Sequence, residues 1–347
     1  MPPVKATFWM KGEKQAVPGL VWAWRFGATS TPIPLPLDHL VDLQDAGRAW
    51  FWLHFDLVDM RAHHWLTNAG ILPDSARVIL LSTKEQPILQ STEGTLAGAL
   101  PDLVREIEGI SEHASQLRFV LMHNIVVTGW HHVLQATLEV QQSIEQGQTV
   151  ATPGGLLQLL LDQIAANIAD RLHILSEGLD KIEDQLLTDA TPGDNLGLAR
   201  QRRNLIRERR YIAGMRMLLE RSKTMILADH MEPPLRFDGE HCQSRFSSLD
   251  HEAMAMLERA RLLQDEIATN IAAATNRNLH ALSILTALLL PPSLVFGAFG
   301  MNVGGLPLAQ TQLGFLVAST LGLFSAGFVY ALLRLLTRFF KHRRIGK

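Results

Sequence analysis

From Asn278 to Leu333 the chain carries no Asp, Glu, Lys or Arg, whereas charged residues punctuate all that precedes it. Two apolar stretches lie in that window, residues 281–301 (ALSILTALLLPPSLVFGAFGM) and 313–333 (LGFLVASTLGLFSAGFVYALL). A helix of about 20 residues crosses a hydrocarbon core of roughly 30 Å, and helices of soluble proteins rarely run that far without a charged face. The window therefore predicts two transmembrane helices. Residues 302–312 (NVGGLPLAQTQ) are too short and too rich in Gly and Pro for a domain, and read as the turn of a hairpin with both ends on one side. The tail, 334–347, holds six Lys/Arg and no acid, and the turn holds no charge. By the positive-inside rule both termini are cytoplasmic and the turn faces outward. Pro291 and Pro292 fall inside the first span, where neighbouring helices can satisfy the carbonyls they free. The pair either shapes a pore or is a packing kink.

The helical pattern begins well before the membrane. Leu249, Ala253, Met256, Ala260, Leu263, Ile267, Ile271 and Ala274 recur at three- and four-residue steps, and no Gly or Pro interrupts 245–290. One stalk helix is expected over 245–301, its last part being the first span. A helix that long with an apolar seam packs against other helices. Two membrane helices cannot enclose a polar path alone, so a pore built from this chain requires a symmetric oligomer. Carried forward, the period gives Asn276, Leu279, Ser283, Thr286, Leu290, Ser293 and Gly297, with Leu282 beside Ser283 and the line ending near Asn302. Hydroxyl and amide rings separated by leucine rings suit a hydrated ion and a hydrophobic gate; small residues that let helices pack closely give the same pattern.

Charge bears on the choice. Over 246–276, Asp250, Glu252, Glu258, Asp265 and Glu266 outnumber Arg259 and Arg261, which in an oligomer makes rings of negative charge that attract cations. No carboxylate side chain follows Glu266, so His280 is the ionisable group placed to take part in any proton coupling.

The rest of the chain, which allows about two domains in 347 residues, reads as an α/β domain over 1–155 and a helical pair over 156–244. Ala49 to Leu57 alternates like a strand, Leu117 to Val127 followed by Thr128-Gly129 suggests a strand pair, and Thr152-Pro153-Gly154-Gly155 marks a boundary. Leu156 to Leu187 and Leu196 to Ile226 read as antiparallel helices joined at Thr191-Pro192-Gly193. The second carries nine Lys/Arg from Arg200 to Lys223, expected to be solvated or paired with Asp180, Glu183 and Asp184. A net charge of −2 argues against a protein that coats nucleic acid. The single cysteine, Cys242, excludes an intrachain disulfide and fits a reducing compartment. No apolar run of signal-peptide length opens the chain, so the N-terminal part is expected to remain cytoplasmic. His241, Cys242 and His251 form a weak zinc-ligand set, since imidazole and thiolate suit Zn²⁺. GxSxG, P-loop, HExxH and dinucleotide fingerprints are missing, so an enzyme is not expected.

Gly300-Met301-Asn302, ending the first of two C-terminal spans behind a long stalk, resembles the 2-TM-GxN signature of the CorA superfamily of divalent-cation transporters. Val303-Gly304-Gly305-Leu306-Pro307 is similar to the loop of the ZntB zinc-transporter branch; CorA members usually carry a Glu there, and this chain has no acid. The resemblance implies an αβα cytoplasmic domain, a long stalk and a funnel-shaped homopentamer in a bacterial inner (plasma) membrane. It implies a selectivity filter of Gly300, Met301 and Asn302, with Asn302 meeting the hydrated cation through amide oxygens. Ser293, Leu290, Thr286, Leu282, Leu279 and Asn276 would line the path inward. Asp265 matches an acidic position that binds regulatory metal in CorA, with Glu266 and Glu258 as further cation-attracting acids. The cargo implied is Zn²⁺ ahead of Mg²⁺, Co²⁺ or Ni²⁺, with no bound cofactor. A CorA-like magnesium or cobalt channel stays open, as does a membrane-anchored metal sensor that does not conduct.

Overall fold

The computed structural model describes residues 17–27, 31–36, 49–68, 70–84, 86–92, 94–105, 114–188, 195–227, 232–301 and 314–344. Its contacts divide the chain into two compact units that part between Leu263 and Gln264.

The first unit is built on one sheet of seven strands: β1 (Leu20–Phe26), β2 (Ile33–Pro34), β3 (Trp50–Asp56), β4 (Ile88–Thr92), β5 (Thr95–Leu103), β6 (Ala114–Leu121) and β7 (Ile125–Trp130). They lie in the order β2-β1-β3-β7-β6-β5-β4, with β3 and β7 parallel and the other neighbours antiparallel. Side chains alternate between faces along a strand. Phe51, Leu53 and Phe55 join Val120, Val127 and Ala97 beneath α1 (Met60–Asn68) and α2 (Asp74–Leu80), whose Ala62, Leu66, Ala76, Ile79 and Leu80 close that core. Trp50, Trp52 and His54 point to the other face, under α3 (Gln135–Glu145), α4 (Pro153–Thr188) and α5 (Asn195–Leu227). Trp50 Nε1 donates to Ala151 O just before α4, and the Tyr211 hydroxyl of α5 donates to Pro101 O. The αβα layering expected from the resemblance is therefore present. With helices on both sides, β3 is buried along nearly its whole length, as an inner strand should be.

β5 escapes sequence reading because TLAGALPDL is rich in residues that favour strands poorly, Pro101 among them. Gly98 is there for space: a Cβ would sit 2.7 Å from the Phe119 ring and 2.6 Å from Ile88 O.

Two buried polar centres brace the second face. Asp102 accepts from the backbone N–H of Leu103, Ala136 and Thr137 and from the Thr137 hydroxyl, and so caps α3 across the chain. Burial nevertheless pushes its carboxyl up to about 7. His54 stacks on Trp22 at 4.0 Å and meets Thr128 Oγ1 through Nδ1 at 2.7 Å. Trp52 Nε1 donates to the same oxygen at 2.7 Å. The Thr128 hydroxyl itself donates to Leu53 O at 3.5 Å, so its oxygen accepts from both Trp52 Nε1 and the His54 ring. Burial holds the His54 imidazole well below its usual range.

α4 and α5 run antiparallel, tied by a buried Arg171–Glu208 ion pair and by Gln201 lying over Gly178. Their spans match the expected 156–187 and 196–226 to within a few residues; the expected turn at Thr191-Pro192-Gly193 lies outside the described residues. Much of the basic helix is exposed, as expected of a solvated face. Two of the expected acidic partners pair elsewhere: Asp180 and Glu183 bind Arg259 of α6 (Gly239–Gly300), while Arg209 and Arg216 of α5 flank the buried Asp250 of α6 at 3.6 Å each. These four side chains project toward the third helix.

α6 starts at Gly239, ahead of the expected 245, because Asp238 caps it: its Oδ1 accepts the His241 N–H at 2.9 Å. The second unit contains the rest of α6 and α7 (Gly314–Arg344). α7 runs past the expected 333 to Arg344, in keeping with the good helix propensity of Lys, Arg and Leu in that stretch. Phe296 of α6 lies over Gly322 of α7, its ring 2.9 Å from where a Cβ would stand.

Candidate ion pathway

The sequence places one chemistry at each level of α6, and the structure carries all these levels on one helix. At 3.6 residues per turn, positions seven apart share a face. Glu258, Asp265, Ala272, Leu279, Thr286, Ser293 and Gly300 form one such row, and all are exposed. Asn276, Ser283, Leu290 and Gly297 form a second exposed row beside it. The buried residues lower on α6, Leu249, Ala253, Met256, Ala260 and Leu263, lie on the side opposite Glu258 and Asp265. The row winds by about 20° per seven residues, so acids, leucines and hydroxyls follow one another along a slow spiral, and from Thr275 to Thr286 every face of the helix is exposed. Leu282 lies at the stripe's edge and is 58% exposed. Glu266, one residue past Asp265, points about 100° away from the row, and so does His280, one residue past Leu279.

The hydroxyls are oriented by the helix. Ser283 donates to Leu279 O, Thr286 to Leu282 O and Ser293 to Leu289 O, each at 2.8 Å. With its hydrogen turned to the backbone, each oxygen presents only lone pairs outward. The waters around a hydrated cation point their hydrogens outward, so acceptors of this kind suit such an ion. Pro291 and Pro292 do not end the helix. Lacking an N–H, they leave the Ala287 and Leu288 carbonyls without a helical donor. Helical bonding continues to Met301 N, which donates to Gly297 O at 3.1 Å. A Cβ on Gly297 or Gly300 would meet nothing within 4 Å, so packing inside the chain does not require either glycine. Asn302, the last residue of the expected filter, lies outside the described residues.

The expected zinc set does not gather. Cys242 is buried against Gln158, His241 reaches Asp162 at 3.4 Å, and His251 Nδ1 bonds Ser247 O at 2.7 Å. Burial pushes the Cys242 thiol up to about 12, far from thiolate formation. His251 stands more than two turns along α6 from Cys242. Among the described residues no group of three or more His, Cys, Asp or Glu could hold a metal ion. Asp250, expected among the cation-attracting acids, is instead buried and clamped by two arginines of α5, an arrangement that depends on long-range packing and has no local signal.

The chain is similar to known proteins along most of its length. The family model described as CorA-like Mg2+ transporter protein matches residues 47–338. The zinc transport protein ZntB of Photorhabdus laumondii subsp. laumondii is 27% identical over 275 residues, covering 77% of this chain and 81% of that protein. The structure of the full-length CmaX protein superposes with a TM-score of 0.75 at 23% identity, over 94% of this chain and 99% of that one. The CorA magnesium transporter of Methanocaldococcus jannaschii superposes with a TM-score of 0.65 at 18% identity, over 90% and 98%.

Proposed function

The chain belongs to the CorA-like Mg2+ transporter family, whose members are transporters and not enzymes, and from that premise we propose that it carries zinc through a pore lined by identical copies of α6. The observation that carries the reading is the uncovered stripe of α6, acidic at Glu258 and Asp265 and hydroxyl-bearing from Ser283 to Ser293. The acids raise the local cation concentration at the cytoplasmic mouth. Asn302, with Gly300 and Met301, forms the outer ring that meets the ion with its water shell intact. Thr286 and Ser293 accept hydrogens from that shell, while Leu279, Leu282 and Leu290 close the path by excluding water. Gly297 and Gly300 leave room where helices of neighbouring copies approach. Five copies in a bacterial inner membrane, with both termini cytoplasmic, complete the reading, and His280 is the group offered for proton coupling.

Zinc is favoured by the ZntB relative and by the missing acid in 302–312. The family description names magnesium, so a magnesium or cobalt channel is the second reading. Uptake into proteoliposomes, comparing Zn²⁺ with Mg²⁺ with and without a pH gradient, tests both. Zinc flux that rises with the proton gradient supports the first. Magnesium flux indifferent to pH supports the second, and no flux of either ion defeats both.

A further inference from the structure

The α4–α5 hairpin carries two exposed faces of opposite charge that its own chain keeps apart. On α5, Arg203 and Arg210 are exposed, make no ion pair among the described residues, and flank Ile206, which is 42% exposed. On α4, Asp170 and Glu177 are exposed and flank Ile174, which is 45% exposed. Asp170 makes no ion pair among the described residues, and Glu177 reaches only His173 of its own helix, at 3.5 Å. Each face is acid–apolar–acid or base–apolar–base over seven residues, two helical turns and about 10 Å.

The hairpin's register sets their heights. Arg171 meets Glu208 and Gly178 meets Gln201, so each residue gained along α4 is matched by one lost along α5. Asp170 is therefore level with Arg210, Ile174 with Ile206, and Glu177 with Arg203, each to within one residue, or about 1.5 Å. Yet Arg203 and Arg210 project about 150° round α5 from the Glu208–Gln201 line, and Glu177 about 100° round α4 from Gly178. The three level pairs cannot form inside one chain.

We propose that they form between chains, Arg203, Ile206 and Arg210 of one copy docking on Glu177, Ile174 and Asp170 of the next. A rotation about an axis running along the hairpin leaves every residue at its own height, so all three pairs come level at once. The two faces are different surfaces of one molecule, so the contact is head-to-tail and closes into a ring. The isoleucines supply apolar contact, and the flanking charges fix register and partner, as flanking charges do in coiled coils. This rests on the oligomeric reading above.

Disulfide trapping in the full-length protein in detergent tests it. Asp170→Cys with Arg210→Cys, and Glu177→Cys with Arg203→Cys, should each give a ladder of covalent multimers under mild oxidation, and the four single variants should not. Native Cys242 is buried and stays out of the reaction. Light scattering on the same samples separates the outcomes. A monomer defeats the oligomeric reading, while an oligomer of unchanged size without a ladder defeats only this interface. A second arm reverses charge: Arg203→Glu with Arg210→Glu should raise the concentration needed for assembly at least tenfold, and adding Asp170→Arg with Glu177→Arg should restore it. If the arginine reversal instead strips co-purifying anionic lipid and leaves assembly untouched, the face belongs to headgroups and the proposal falls.

Discussion

In the N-terminal unit Phe51, Trp52 and Phe55 are at most 1% exposed, while in the membrane hairpin Leu279, Leu290, Phe324 and Phe328 are all more than half exposed. The side chains are equally apolar; what differs is where their surroundings come from. The sheet covers its aromatic rows with helices of the same chain and meets its buried Asp102 with four donors. The hairpin leaves its span uncovered and turns its hydroxyl hydrogens inward, which suits lipid on one side and a water-filled path on the other. One region is complete as a single chain, and the other is completed by its environment.

The largest effect that would sharpen this contrast is a loss of transport without a loss of fold. Asn302→Ala should abolish cation flux in proteoliposomes while the melting of the N-terminal unit and the oligomer's size stay unchanged. Unchanged flux would remove Asn302 from the filter. Breaking the self-contained region should do the reverse. Glu208→Ala removes the carboxylate that the largely buried Arg171 is paired with, a change worth up to about 3–5 kcal/mol in comparable buried pairs. Urea unfolding followed by tryptophan fluorescence should register it, and a shift below about 1 kcal/mol would mean that the pair is solvated.

The smallest effect concerns pH. His54 is held neutral when folded, so below about 6.5 the unfolded chain binds a proton that the folded unit refuses. Stability should fall as pH drops from there, by up to about 1.4 kcal/mol per pH unit for one site. Asp102 acts oppositely: with its carboxyl raised to about 7, it weakens the fold as pH rises from about 4 toward 7. Between about pH 4 and 6.5 the two slopes oppose each other, so His54→Phe should make the melting temperature rise as pH falls, and Asp102→Asn should make it fall, in measurements taken from pH 4 to 8. Parallel curves for wild type and His54→Phe would break the account of the His54–Thr128–Trp52 cluster.

The hairpin and stalk were legible in the sequence because their signals are local: an uncharged window, an unbroken helical period, and a Gly300-Met301-Asn302 signature at its end. Most of the sheet was not. β1 and β5 acquire their strand character from neighbours distant in sequence, and Gly98 makes sense only once Phe119 is seen over it. The same limit explains Asp250, which is one acid among five in the sequence and a clamped, buried one in the fold. His241, Cys242 and His251 fail in the opposite way, since sharing a stretch of helix does not put side chains on one point. The proposed pore row stands between these cases: periodicity gives its members, and a span exposed on every face does not choose among them.

α6 runs from Gly239 to Gly300 as one helix, on the order of 90 Å of continuous rod. A rod of that length is a lever. One degree of tilt at one end of a rigid rod that long displaces the other by roughly 1–2 Å. The interior prolines of α6, Pro291 and Pro292, sit close to one end, so whatever compliance the rod has is concentrated there.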